Sequence, residues 1–296
     1  MTRLRADALL LLAAAIWGLA FVFQKSAMDH IGAFTMVGGR ALVAVLALSP
    51  LAIWAARTLT RDEFNRNLVV GCRGGVFFFL GAALQQFGLV TTTVSNTGFL
   101  TALYVILTPV LIWLVRGERP SPFVAIAALV SFVGTWCLSG GSLSGFSRGD
   151  TLVALSALFW AAHVIATAEG ATLGAPALLT ATQFAVVACL GWACAFSFEV
   201  VTLDRLLSSA RELAYVGIFS SAVTFLMLTI ALKHTTAAEA AILVSTEIVF
   251  AAVAAYVLLG ERLSALGLIG GALMFSASLL VQLGPMWTRR EAATRA

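Results

Sequence analysis

Ten apolar runs, each close to 20 residues long and separated by short polar or charged stretches, set the pattern of this chain: 7–26, 33–55, 68–90, 95–116, 121–140, 150–169, 176–198, 212–232, 238–259 and 264–283. At a rise of 1.5 Å per residue, a helix of about 20 residues crosses about 30 Å of hydrocarbon, so each run is long enough to span a bilayer. None alternates strictly between apolar and polar positions. Unpaired backbone groups are costly in lipid, so spanning elements must be helices or a closed barrel, and the missing alternation selects helices. The interruptions at Asp29-His30-Ile31-Gly32, Arg57 to Arg66, Arg116 to Pro122 and Ser139 to Asp150 consist of turn formers and charge. The last is rich in Gly and Ser and reads as a flexible connector.

The pattern also repeats. Trp17 recurs as Trp160, Thr92-Thr93 as Thr235-Thr236, and Gly117-Glu118-Arg119 as Gly260-Glu261-Arg262, all at an offset of 143. A repeat over nearly the whole chain implies two copies of one unit, predicted as residues 1–143 and 144–296. Each copy holds an odd number of runs, so the second enters the membrane upside down, which is the inverted-repeat plan of secondary transporters. The expected fold class is an all-α integral membrane protein with ten transmembrane helices in two inverted five-helix repeats.

Lys and Arg orient this array. With the N-terminus in the cytoplasm, eleven lie in loops and tails on that side and five on the other, namely Lys25, Arg148, Arg205, Arg211 and Arg262. The excess predicts an inner-membrane protein with both termini cytoplasmic. Much of the net charge of +4 reflects that bias, so it does not argue for nucleic acid. Composition agrees, at 60% hydrophobic and 11% charged residues, with a mean hydropathy of +0.99. The first run, after Arg3 and Arg5, has the look of a signal peptide, but Trp17 belongs to the repeat, so the run is kept as a mature helix. Cys72, Cys137, Cys189 and Cys194 lie inside apolar runs and read as packed thiols; no metal and no cofactor is expected. Gly71-xxx-Gly75 and Gly267-xxx-Gly271 mark close helix packing. Pro109 is expected to interrupt and bend the fourth helix; its repeat partner is Ala252, so the two copies need not bend alike.

Four short motifs stand in register: Ile16-Trp17-Gly18 and Phe159-Trp160-Ala161 in each copy's first helix, with Gly117-Glu118-Arg119 and Gly260-Glu261-Arg262 closing each copy's fourth. Together with the ten-helix plan they resemble the drug/metabolite transporter superfamily and, within it, the EamA family. That resemblance covers nearly the whole chain. It implies a basket of helices around a central cavity that opens alternately to either side, often for export of amino acids or other metabolites. The overall look is similar to exporters of aromatic amino acids of the YddG type.

Polar side chains inside hydrocarbon are expensive and face a bundle interior, a partner or a wet pathway. Trp17 and Gln24 share one face of the first helix, and Trp160, His163 and Thr167 one face of the sixth; Gln24 and Thr167 are repeat partners. An aromatic ring above a hydrogen-bonding group suits a flat organic solute, with packing between the copies as the alternative. His163 either titrates or donates a hydrogen bond inside the bundle. Gln85, Asn96, Phe99, Tyr104 and Gln183 extend the expected lining, while one of the adjacent Gln85 and Gln86 must turn away and serve as interhelical glue. Arg40 and Glu247 are candidate members as a charge pair or a coupling group. Arg40 needs an anionic partner, and Glu247, the carboxylate deepest in a span, either neutralises a cation such as Arg40 or carries a proton. Glu118-Arg119 and Glu261-Arg262, at helix ends, read as boundary residues.

Competing functions are weaker. Gly145-Phe146-Ser147-Arg148-Gly149 matches the nucleophile-elbow pattern, but that pattern needs a preceding strand, and Ser147 falls in the Gly/Ser connector. No phosphate-binding loop is present, so direct ATP-driven pumping is unsupported. A sugar-phosphate or nucleotide-sugar carrier needs several converging cations, and apart from Lys25 and Arg116 at run ends the runs contain only Arg40 and Arg73. The expected protein is a secondary transporter, not an enzyme, that moves amino acids or similar metabolites across the lipid bilayer.

Overall fold

The computed structural model describes residues 1–92, 94–138, 147–259, 264–277 and 279–280, and every regular element among them is helical. The first copy contains α1 (Arg3–Ala27), α2 (Ala33–Ala56), α3 (Arg61–Thr91), α4 (Val94–Thr101), α5 (Tyr104–Arg116) and α6 (Pro122–Leu138). The second contains α7 (Arg148–Ala171), α8 (Pro176–Phe198), α9 (Leu203–Ser208), α10 (Ala210–Ala214), a π-helical stretch Tyr215–Val223, α11 (Thr224–Ala231), α12 (Ala237–Val244), α13 (Glu247–Leu259) and α14 (Ala265–Ala277). Six helices among the described residues are long and apolar enough to cross a membrane: α1, α2, α3, α7, α8 and the composite Ala210–Ala231. These are the first, second, third, sixth, seventh and eighth predicted runs. The fifth and tenth are represented by α6 and α14.

The fourth and ninth runs are each divided, at repeat-equivalent positions. α4 gives way to α5 at Ala102-Leu103, and α12 to α13 at Ser245-Thr246. At both junctions the backbone tightens to three-residue bonds: Leu103 donates to Leu100 and Val105 to Ala102, as Thr246 donates to Leu243 and Ile248 to Ser245. In the second copy the Ser245 and Thr246 hydroxyls also take the carbonyls of Ile242 and Leu243, in competition with the helical ladder. The expectation for Pro109 is corrected here. It sits inside α5, beyond the junction, and the ninth run divides at the equivalent place although Ala252, inside α13, stands where the proline would be.

Helix contacts fix the relation of the copies. Thr35 meets Glu199 while Gly38 meets Gly191, so α2 and its repeat partner α8 run antiparallel. A Cβ on Gly191 would lie 2.7 Å from the Gly38 Cα, so the crossing requires glycine. α3 runs beside α8 in the same direction, with Gly71 against Thr182 and Gly75 against Val186, as its small-residue spacing predicts. It runs against α7 in the opposite direction, from Arg73 with Glu169 to Gly88 with Val153. α1 closes the other side by packing on α11, α12 and α13. The core between these helices is largely alanine, including Ala14, Ala41, Ala44, Ala82, Ala231 and Ala240. Small side chains let backbones approach where water provides no hydrophobic drive.

Polar clasps secure the helix ends. Glu199 accepts from the backbone of Phe34 (2.7 Å) and Thr35 (2.9 Å) at the start of α2. Arg3 pairs with Glu239 at 2.8 Å, and Arg73 with Glu169 at 2.5 Å. Ser147 is the N-cap of α7: its hydroxyl accepts from Asp150 N while Asp150 accepts from Ser147 N. The cysteines are not packed thiols as expected. All four are free; Cys72 and Cys189 are exposed, and Cys137 and Cys194 half-buried, because each lies on the outer side of its helix.

Candidate solute-binding site

A cavity lies between the copies. Most of its wall consists of repeat partners: Trp17 with Trp160, Phe21 with Val164, Gln85 with Leu228, Thr101 with Val244, and Tyr104 with Glu247. Gln24, Arg40, His163, Ser220 and Phe225 complete it. Thr101 and Tyr104 flank the α4/α5 junction, and Val244 and Glu247 flank the α12/α13 junction, so both divided helices present their joints to the cavity.

The aromatic wall is built from both copies. Trp17 meets Phe225 edge-on at 4.8 Å between ring centroids, and Phe225 stacks on Phe78 at 4.6 Å. Phe78 in turn lies 5.2 Å from Trp160 and 4.9 Å from His163. The two tryptophans are held differently. Trp17 Nε1 donates to the Ser220 carbonyl at 2.7 Å, within the π-helical stretch, whereas Trp160 Nε1 is buried without a hydrogen-bond partner. The first copy's equivalent stretch, in α3, is regular α-helix.

Two hydrogen bonds repeat across the copies. Arg40 Nη1 donates to Gln24 Oε1 at 3.1 Å, and its repeat partner Gln183 donates from Nε2 to Thr167 Oγ1 at 2.9 Å. Thr167 Oγ1 also lies 3.2 Å from His163 Nε2. Gln85 donates to Thr101 Oγ1 at 2.8 Å, while Gln86 turns away to Met28, the interhelical role expected of one of the pair. Buried atoms without partners include Arg40 Nε, Trp160 Nε1 and His163 Nδ1.

Trp17, Gln24, Gln85, Tyr104, Trp160, His163, Arg40 and Glu247 are thus brought to one cavity. Gln183 is not among its lining residues. It is fully buried behind Thr167, against Gly74, because its face of α8 turns toward α3. Asn96 and Phe99 fall in α4, but their side chains lie outside the described residues, as does the whole Gly260-Glu261-Arg262 motif. Arg40 and Glu247 form no ion pair among the described residues. The guanidinium bonds Gln24 and lies 5.7 Å from the Phe78 ring centroid, so the expected charge pair is corrected to two separate charges in one cavity. Arg73 is outside the cavity, paired with Glu169. Phe21, Thr101, Val164, Leu228 and Val244 were not anticipated; among them Leu228, the repeat partner of Gln85, is the one the repeat register signals. Ser220 and Phe225 have no such signal.

Residues 4–140 and again residues 147–283 match the EamA-like transporter family, with both ends of the two matches separated by the repeat offset (147 − 4 = 143 and 283 − 140 = 143). The chain belongs to this family. A protein of Archaeoglobus fulgidus described as an uncharacterized transporter is 31% identical over 285 residues, covering 95% of this chain and 87% of that one. A solved crystal structure shares the fold with a TM-score of 0.77 at 18% identity, covering 95% of this chain and 98% of its own. As an EamA-family member within the drug/metabolite superfamily, the protein is a multi-pass membrane transporter of small molecules.

Proposed function

We propose that this EamA-family transporter exports amino acids, chiefly aromatic or neutral ones, across the inner membrane by alternating access. In this reading residues 1–143 and 144–296 are the two inverted units, their ten runs all span, and both termini are cytoplasmic. The observation that carries it is the cavity itself: aromatic rings from both copies surround one guanidinium, Arg40, and one carboxylate, Glu247, that do not neutralise each other. A zwitterion complements that arrangement, with its carboxylate toward Arg40, its ammonium toward Glu247 and its side chain against Trp17, Trp160 and Phe225. Phosphate recognition needs several converging cations, and Arg40 is the sole Lys or Arg among the described lining residues.

Inverted copies provide the mechanism. Exchanging the conformations of the two units turns a cavity open to one side into one open to the other, and the paired joints beside the cavity are suited to act as hinges. The test is uptake of radiolabelled phenylalanine, threonine and a sugar phosphate into proteoliposomes, with counterflow against preloaded solute. Amino-acid uptake with counterflow supports the proposal. Uptake of the sugar phosphate alone rejects the substrate assignment, and uptake without counterflow indicates a channel.

A further inference from the structure

Gln183 does not line the cavity, yet it is connected to it. Its Nε2 donates to Thr167 Oγ1, and that oxygen lies 3.2 Å from His163 Nε2. The direction of this relay can be derived. Were the Gln183 amide turned around, its NH2 would occupy the place now held by Oε1, a buried position without a hydrogen-bond partner. Stranding a buried N–H2 is worse than leaving a carbonyl unsatisfied, so nitrogen faces Thr167.

Thr167 then has one proton to give. Thr108, Thr135, Thr182, Thr224 and Thr229 all turn their hydroxyls back on the carbonyl four residues earlier. Thr167 makes no such bond, and the acceptor within its reach is His163 Nε2. A ring nitrogen that accepts carries no proton, so the neutral imidazole holds its proton on Nδ1, which is buried and unpartnered. His163 therefore joins Trp160 and Arg40 as a third lining residue with a buried, unpartnered N–H.

The first copy contains the equivalent bond, Arg40 to Gln24, but Ala20 stands where His163 would be, so the relay ends there. The relay therefore exists in the second copy and not in the first. We infer that Gln183, acting through Thr167, is a positioning residue that fixes His163 as an Nδ1–H donor, so that the Trp160-His163-Arg40 wall selects solutes presenting a carbonyl or carboxylate oxygen. The selectivity half rests on the cavity being the solute site; the relay half does not.

Two readouts separate those halves. In protein labelled with ¹⁵N-histidine, with the His163 signal assigned by its loss in His163→Gln, the wild type should show a proton on Nδ1 and a bare Nε2. Thr167→Val should lose that fixed pattern and Thr167→Ser should restore it. A wild-type proton on Nε2, or an unchanged pattern in Thr167→Val, overturns the relay. Binding to purified protein then compares phenylalanine with phenethylamine, which lacks the carboxylate. Thr167→Val should weaken phenylalanine about tenfold, the size of one lost hydrogen bond, and leave phenethylamine within about twofold. Equal losses for both overturn the selectivity role. An intact Nδ1–H pattern with no phenylalanine binding rejects the amino-acid reading and leaves the relay standing.

Discussion

Each cavity residue is defined by what its polar atom already has. Trp17 and Trp160 occupy the same repeat position, but Trp17 is tethered through Ser220 and Trp160 is not. Trp17→Phe should therefore lower stability by about 1 kcal/mol, read as thermal unfolding in detergent, through loss of a buried hydrogen bond. Trp160→Phe should leave unfolding nearly unchanged and weaken solute binding instead. Glu247 is a buried carboxylate without a hydrogen bond or ion pair among the described residues. Protonation is then the means by which it sheds charge when no cation is bound. Glu247→Gln should remove most of the pH dependence of uptake, and a variant with the wild-type profile would exclude Glu247 from coupling. The polar members of this site were legible because a Trp, His, Gln or Arg stands out within an apolar run. Phe21 and Phe225 were not, since an apolar residue facing a cavity has the same signature as one facing a helix or lipid. Gln183 shows a further limit: helical periodicity gives the face a residue occupies, not whether another side chain stands between it and the cavity.

Helix packing was legible at Gly71-xxx-Gly75 and hidden where bonding patterns change. The long apolar helices and the Gly71-xxx-Gly75 contact follow from run length and spacing. The divided fourth and ninth helices do not, because a tightened turn with helical backbone angles leaves no gap in hydropathy. Pro109 drew attention to the right helix for the wrong reason, since its repeat counterpart divides without a proline. Gly18, next to Trp17, is where α1 packs on α13: a Cβ there would lie 2.5 Å from the Glu247 carbonyl oxygen and 2.6 Å from the Ala251 nitrogen. Both obstacles are backbone and cannot swing aside. Gly18→Ala should cost about 1–3 kcal/mol and lower the unfolding temperature, while the repeat-related Ala161→Gly should cost no more than about 1 kcal/mol. Equal effects at both sites would contradict this account of the α1–α13 contact.

At the scale of the molecule, the repeat was the most legible property, because an ungapped offset of 143 relates motifs, hydrogen bonds and helix joints alike. Departures from it carry the individuality of the site: the π-helical stretch that presents the Ser220 carbonyl, His163 in place of Ala20, and Glu247 in place of Tyr104. The Lys and Arg bias predicts that reporter fusions to either terminus report a cytoplasmic location, and a periplasmic signal from both would invert the topology. The central claim is that solute passes through the cavity between the copies. Its most direct test is phenylalanine uptake by wild-type and Trp160→Ala protein in matched proteoliposomes. The account predicts saturable wild-type uptake that falls about tenfold or more in the variant, with the amount of folded protein unchanged. Wild-type uptake by folded Trp160→Ala protein would contradict it.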